Sequence, residues 1–182
     1  MTGDIKTLIA EKPAQARVAI LLATERFINA VDLHKYTTRL QEVGAIRRGE
    51  SKARFIELLI VPMKKRHHQL ERFLTAISTK RDLSNTYTWF LISHQGPVIL
   101  HLATTETFVV GQLLTTGPED FVRQVQEATK AKDYRLDATG FYKGNRLIIP
   151  FGEAEILETI GLPYVPPQKR AAYAKELREG QS

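Results

Sequence analysis

The chain has 182 residues, 43% apolar and 25% charged, enough for one sizeable domain or two small ones sharing a core and unlike a disordered chain. It contains no cysteine, which excludes disulfides, thiolate zinc sites and thiol redox catalysis. Lysine and arginine number 26 against 20 acids, a formal charge of +6, which favours polyanionic partners through counterion release.

The first six residues lack a secretory pattern, and the apolar run 18–23 is cut by Glu25 and Arg26, far short of the roughly 20 residues that span a bilayer. An intracellular protein of cytoplasm or nucleoid, with no membrane partner, is expected. Residues 12–31 carry Val18, Leu21, Leu22, Ile28 and Val31 at helical spacing, with Pro13 suited to a first turn, so a helix is predicted there. A second short helical stretch is expected over 32–40. Next comes the densest basic run, Arg47, Arg48, Lys52 and Arg54, leading into a strand over 55–61 ended by Pro62.

Lys64, Lys65, Arg66, His67, His68 and Arg72 form a second basic cluster, on a helix predicted to run through Ile77. Strands over 86–93 and 97–103 flank His94-Gln95-Gly96, a hairpin turn, so the sheet is at least partly antiparallel. Thr116-Gly117-Pro118 opens another helix, with Glu119 and Asp120 at its positive dipole end and Phe121, Val125 and Ala128 on its core face. Segments 134–141 and 146–150 flank the turn Lys143-Gly144-Asn145 and predict a second small sheet. A short helix over 153–160 ends at Gly161, prolines 163, 166 and 167 interrupt regular structure, and 171–182 reads as a charged tail with helical character.

Three spaced segments carry a joint pattern: Gly44-Ala45-Ile46-Arg47-Arg48-Gly49 before a strand, Leu114-Thr115-Thr116-Gly117 before a helix, and Ile160-Gly161-Leu162-Pro163-Tyr164-Val165-Pro166-Pro167 near the end. Together, with Phe108 and Gly111 ahead of the second, they resemble the family X (polymerase beta-like) DNA polymerases over residues 35–170. The resemblance implies an α+β fold: a nucleotidyltransferase-like palm with a mixed or antiparallel sheet and flanking helices over 1–113, a small α/β thumb over 114–170, and a tail over 171–182. There is no room for N-terminal lyase and fingers domains, so the chain looks like the minimal palm-plus-thumb form, for which a cellular, viral or plasmid origin is equally open.

In that family three aspartates hold two divalent metals between the attacking hydroxyl and the triphosphate. Counted from Gly44 and from Thr116, their positions fall on Phe55, Glu57 and Ile99, so one carboxylate of three remains, and no catalytic residue, metal or cofactor is expected. Ala45 replaces the triphosphate-binding serine while Arg48 keeps the matching arginine. Leu114, Thr115 and Val122 replace the polar and aromatic groups around the sugar. Glu57 is read as a strand residue paired with Arg47, Arg48 or a neighbouring base.

His67 and His68 diverge by about 100° on a helix and show no third ligand in the sequence, so no metal is assigned to them. His101 is read as structural rather than as a general base, and Tyr87, Trp89 and Phe90 as core rather than base-stacking residues. Phosphate contacts are assigned to Arg47, Arg48, Lys52, Arg54, Lys64, Lys65, Arg66, Lys143 and Arg146. Thr116 and Gly117 join them through backbone N–H groups at a helix N-terminus.

The leading expectation is a catalytically inactive polymerase X-like protein that grips DNA, or RNA, through phosphates and assists another replication or repair protein. The alternative is a divergent nucleotidyltransferase dependent on Mg²⁺ or Mn²⁺, its ligands moved to Glu57, Glu50 or Glu106. A scaffold made only for protein contact ranks third.

Overall fold

The computed structural model describes residues 4–179; residues 1–3 and 180–182, the latter being the end of the tail expected over 171–182, lie outside the described residues. The secondary structure in chain order begins with helix α1 (Ile5–Ala10), the short strand β1 (Gln15–Ala16) and helix α2 (Arg17–Val31), followed by strand β2 (Thr37–Glu42). Helix α3 (Gly44–Arg47), strand β3 (Lys52–Ala53), strand β4 (Ile56–Pro62), helix α4 (His67–Ile77) and strands β5 (Ser78–Asp82), β6 (Thr88–Ser93) and β7 (Gly96–Leu102) follow. The remainder comprises α5 (Phe108–Thr116), α6 (Glu119–Ala131), β8 (Tyr134–Asp137), β9 (Gly140–Lys143), β10 (Arg146–Ile148), α7 (Glu153–Thr159) and α8 (Arg170–Glu179).

The fold is α+β. Its main sheet has the order β2-β4-β7-β6-β5, antiparallel except for the central β4–β7 pair, so it is mixed as expected. Strand alternation sorts β4 cleanly. Ile56, Leu58 and Ile60 join Val98, Leu100, Trp89 and Leu91 on one face, where Phe27 and Val31 of α2 and Leu70 and Leu74 of α4 cover them. Leu59 and Val61 face the other way, against Phe108 of α5.

Several sequence-based expectations are corrected here. The helix predicted over 12–31 starts only at Arg17, because Gln15 and Ala16 pair with Lys52 and Ala53 and the Arg17 amide donates to the Ser51 carbonyl at 2.8 Å. Its buried face is Ile20, Thr24, Phe27 and Val31, while Val18 is 67% exposed. The stretch 32–40 holds one 3₁₀ turn, Leu33–Lys35, and then becomes β2, a sheet edge that supersedes weak helical spacing. Strand β5 and helix α5 add to the elements that the sequence predicts. Segment 134–141 is not one strand but two, folded at Ala138 and Thr139 into the antiparallel β8–β9 hairpin.

The small sheet β10-β9-β8 packs with α5, α6, α7 and α8 around a second core. Val109, Val110 and Leu113 of α5 already belong to it, so the thumb core starts ahead of the boundary expected at 113/114. The segment read as a tail is mostly α8, whose Ala174 is buried in the same core.

Candidate functional site

Phe55, Glu57 and Ile99 do converge. Glu57 and Ile99 are register partners on the parallel strands β4 and β7, and Phe55 precedes β4 on the Glu57 side of the pleat. What they form is an apolar cluster: Ile99 packs with Phe55, Phe90 and Ile92 beneath Ile5 and Ile9 of α1. Burying two isoleucines this way contributes roughly 3–6 kcal/mol in favour of keeping α1 docked. The Arg54 Nη1 donates to the Ala10 carbonyl at 3.1 Å, and the Lys6 ammonium lies 5.2 Å from the centre of the Phe90 ring.

The remaining carboxylate, Glu57, is engaged by His101 rather than by Arg47 or Arg48: Oε1 lies 2.9 Å from His101 Nε2. Its other oxygen fills the space above Gly44, where an added Cβ would meet Oε2 at 1.7 Å, and Gly44 sits at φ +61. A donor set of one hydrogen-bonded carboxylate beside a phenylalanine and an isoleucine does not fit a pair of Mg²⁺ ions, which require several hard oxygen ligands.

Arg47 and Arg48 tie α3 to the helices around the second core. Arg47 makes a bidentate pair with Glu153 of α7 at 2.8 and 2.7 Å and donates to Thr116 Oγ1 at 2.7 Å. Arg48 donates to the Thr116 carbonyl and, through Nε, to Glu50 at 2.6 Å. Glu153 also lies 2.9 Å from Arg170 Nη2, close but poorly aligned for a hydrogen bond. Burial opposes the charge on Glu153, yet Arg47 and Arg170 more than offset it and hold the carboxyl below its ordinary range. Burial lowers the pKa of Arg170, and Glu153 opposes that shift.

Thr116 therefore differs from expectation. It is the buried last residue of α5, turned toward the two arginines, and α6 begins only at Glu119 with Pro118 as its cap. Gly117, at φ +64, lies beside the Arg48 guanidinium. The first amides of α6 are two residues beyond the predicted pair.

The other basic residues fall in three places. Lys52 and Arg54 line a cavity of about 390 Å³ with Ala45, Glu50, Phe55 and Glu57. Lys64, Lys65 and Arg66 line a larger one, about 1010 Å³, at the far end of β4, where Tyr87 also opens. A seven-residue strand separates the two by roughly 20 Å. Lys143 and Arg146 are exposed cross-strand partners in the β9–β10 hairpin, while the opposite end of β9 approaches Ala138 and Thr139 at the larger cavity. Trp89 is core, as read from the sequence, and Phe90 belongs to the cluster under α1.

Glu106 lines the larger cavity and Glu50 and Glu57 the smaller, so the three carboxylates of the enzymatic alternative do not meet. Sequence reasoning missed Glu153, whose partners are 106 and 17 residues away, and Glu71, which lies within reach of both His67 and His68. The spacing of Glu71, three and four residues after the histidines, was the available signal.

Residues 111–171 match the family described as DNA polymerase beta thumb, the part of the chain built around the second core. That match and the relatives below support a family X polymerase-like protein. It is 27% identical over 140 residues, 70% of this chain and 79% of the relative, to the repair DNA polymerase X of a South African tick isolate of African swine fever virus. The identity is the same over the same shares for that protein from a Namibian warthog isolate. No helix among the described residues is long and apolar enough to cross a membrane.

Proposed function

We propose that this family X-like chain is a non-catalytic nucleic-acid-binding protein, an intracellular accessory factor in DNA replication or repair. The observation that carries the reading is the cluster of Phe55 and Ile99 under Ile5 and Ile9, with Glu57 bonded to His101: the positions that would hold two metals are filled by apolar packing and one occupied carboxylate. The likeness to repair polymerases supports a role on DNA. Among the basic residues, Lys52, Lys64, Lys65, Arg66, Lys143 and Arg146 are exposed and suit phosphate contacts, whereas Arg47 and Arg48 hold the thumb. RNA binding and a protein partner belong to the same reading.

Binding to gapped duplex DNA, followed by anisotropy across a salt series, tests it alongside primer extension with all four nucleotides and Mg²⁺ or Mn²⁺. The expected result is binding with a steep salt slope and no extension. A divergent nucleotidyltransferase remains the second reading, favoured by Glu50 and Glu57 lining one cavity. Extension abolished by Glu57→Gln would establish it and overturn the first.

A further inference from the structure

Helix α4 begins with two histidines, and the helical repeat brings Glu71, one turn on, to both. His67 Nδ1 lies 3.6 Å from Glu71 Oε1, and His68 Nδ1 lies 3.2 Å from Glu71 Oε2. One donor atom from each of the three residues falls within 4.8 Å of the others. The divergence of adjacent side chains on a helix is overcome because both rings turn their Nδ1 edges toward one carboxylate.

We propose that His67, His68 and Glu71 form a binding site for a borderline divalent transition-metal ion such as Zn²⁺. A tetrahedral zinc with nitrogen and oxygen ligands at about 2.0–2.2 Å sets its donors roughly 3.4 Å apart, so the three groups close on an ion by side-chain rotation alone. His67 supplies the fixed vertex, its ring held edge-on to the buried Trp89 at 5.3 Å between centroids. His68, 93% exposed at its side chain, and the partly exposed Glu71 are free to move onto the ion.

Two imidazoles and one carboxylate suit zinc, copper or nickel, whereas Mg²⁺ prefers an all-oxygen shell. Three protein ligands leave a coordination position for water or an anion. Both histidines border the cavity of about 1010 Å³, beside Lys64, Lys65 and Arg66. These cations oppose a bare metal and favour one that carries an anionic ligand. The site lies beyond the end of β4, at the other end of that strand from Phe55 and Glu57, and is independent of the proposed accessory role.

The test is calorimetric titration of the full chain with Zn²⁺ at neutral pH, with Co²⁺ absorption to report geometry and Mg²⁺ as control. One equivalent of Zn²⁺ should bind, His68→Ala and Glu71→Gln should each weaken it about tenfold or more, and His34→Ala and His94→Ala should leave it unchanged. Both ligand variants change exposed or partly exposed side chains, and circular dichroism verifies that they fold. Absence of stoichiometric binding, an affinity unchanged in both variants, or equal affinity for Mg²⁺ would each overturn the proposal.

Discussion

Arg47 and Glu153, 106 residues apart, are joined by two hydrogen bonds of 2.8 and 2.7 Å that link α3 to α7. Arg170, with no exposed surface, stands on the other side of the same carboxylate. Removing the charge of Glu153 leaves a buried cation without its partner. Glu153→Gln is expected to destabilise the chain by about 3–5 kcal/mol in urea unfolding.

The same carboxylate gives the stability a pH signature. Its folded pKa is held below the unfolded value near 4.3, so its contribution is fully present above that pH and is lost as pH falls through the folded pKa. Unfolding free energies measured from about pH 6 down to 3 should show a steeper acid limb in the native chain than in Glu153→Gln. Parallel limbs would mean that Glu153 does not gain from its arginines.

Gly44→Ala tests the pair beneath it. The new Cβ meets the Glu57 carboxylate in a backbone conformation costly for alanine, with an expected loss of about 1–3 kcal/mol. Part of the loss comes from displacing Glu57 and part from φ. Adding Glu57→Ala should therefore recover some of it, which a double-mutant cycle by chemical denaturation reads directly.

Helix α1 sits on a small cluster separate from the main core. Ile9→Asp should release α1 locally, because a carboxylate does not stay in that contact, while the palm core remains folded. Limited trypsin digestion should then cut faster after Lys6 and Arg17, with little change in the main thermal transition. A large fall in Tm would show that α1 is integral to the core.

Charge removal distinguishes contacts from struts. If Lys143 and Arg146 touch phosphates, their replacement by alanine lowers the salt slope of DNA binding by about 1 each. Arg47→Ala should lower stability and leave the slope nearly unchanged, since its guanidinium is engaged by Glu153 and Thr116. Anisotropy over a salt series, paired with denaturation, separates the two behaviours.

Much of this protein is determined by short-range pattern. The buried strand β4, the β6–β7 hairpin, the amphipathic α4 and α6 and the family motifs are written in periodicity, turn residues and local spacing, because each element answers to its own neighbours. That Phe55 and Ile99 stand where the family resemblance expects metal ligands is equally a reading from the sequence. Only the tertiary structure decided what the replaced residues do instead. That Ile5 and Ile9 close over them, that Glu57 turns to His101 rather than to an arginine, and that Arg47 holds Glu153 are contacts between residues 44 to 106 apart, or between faces of separate elements. The start of α2 was likewise set by a strand pair with residues 52 and 53. Packing and charge pairing act through space, and the order of residues along a chain does not state which of its charged or apolar groups will meet.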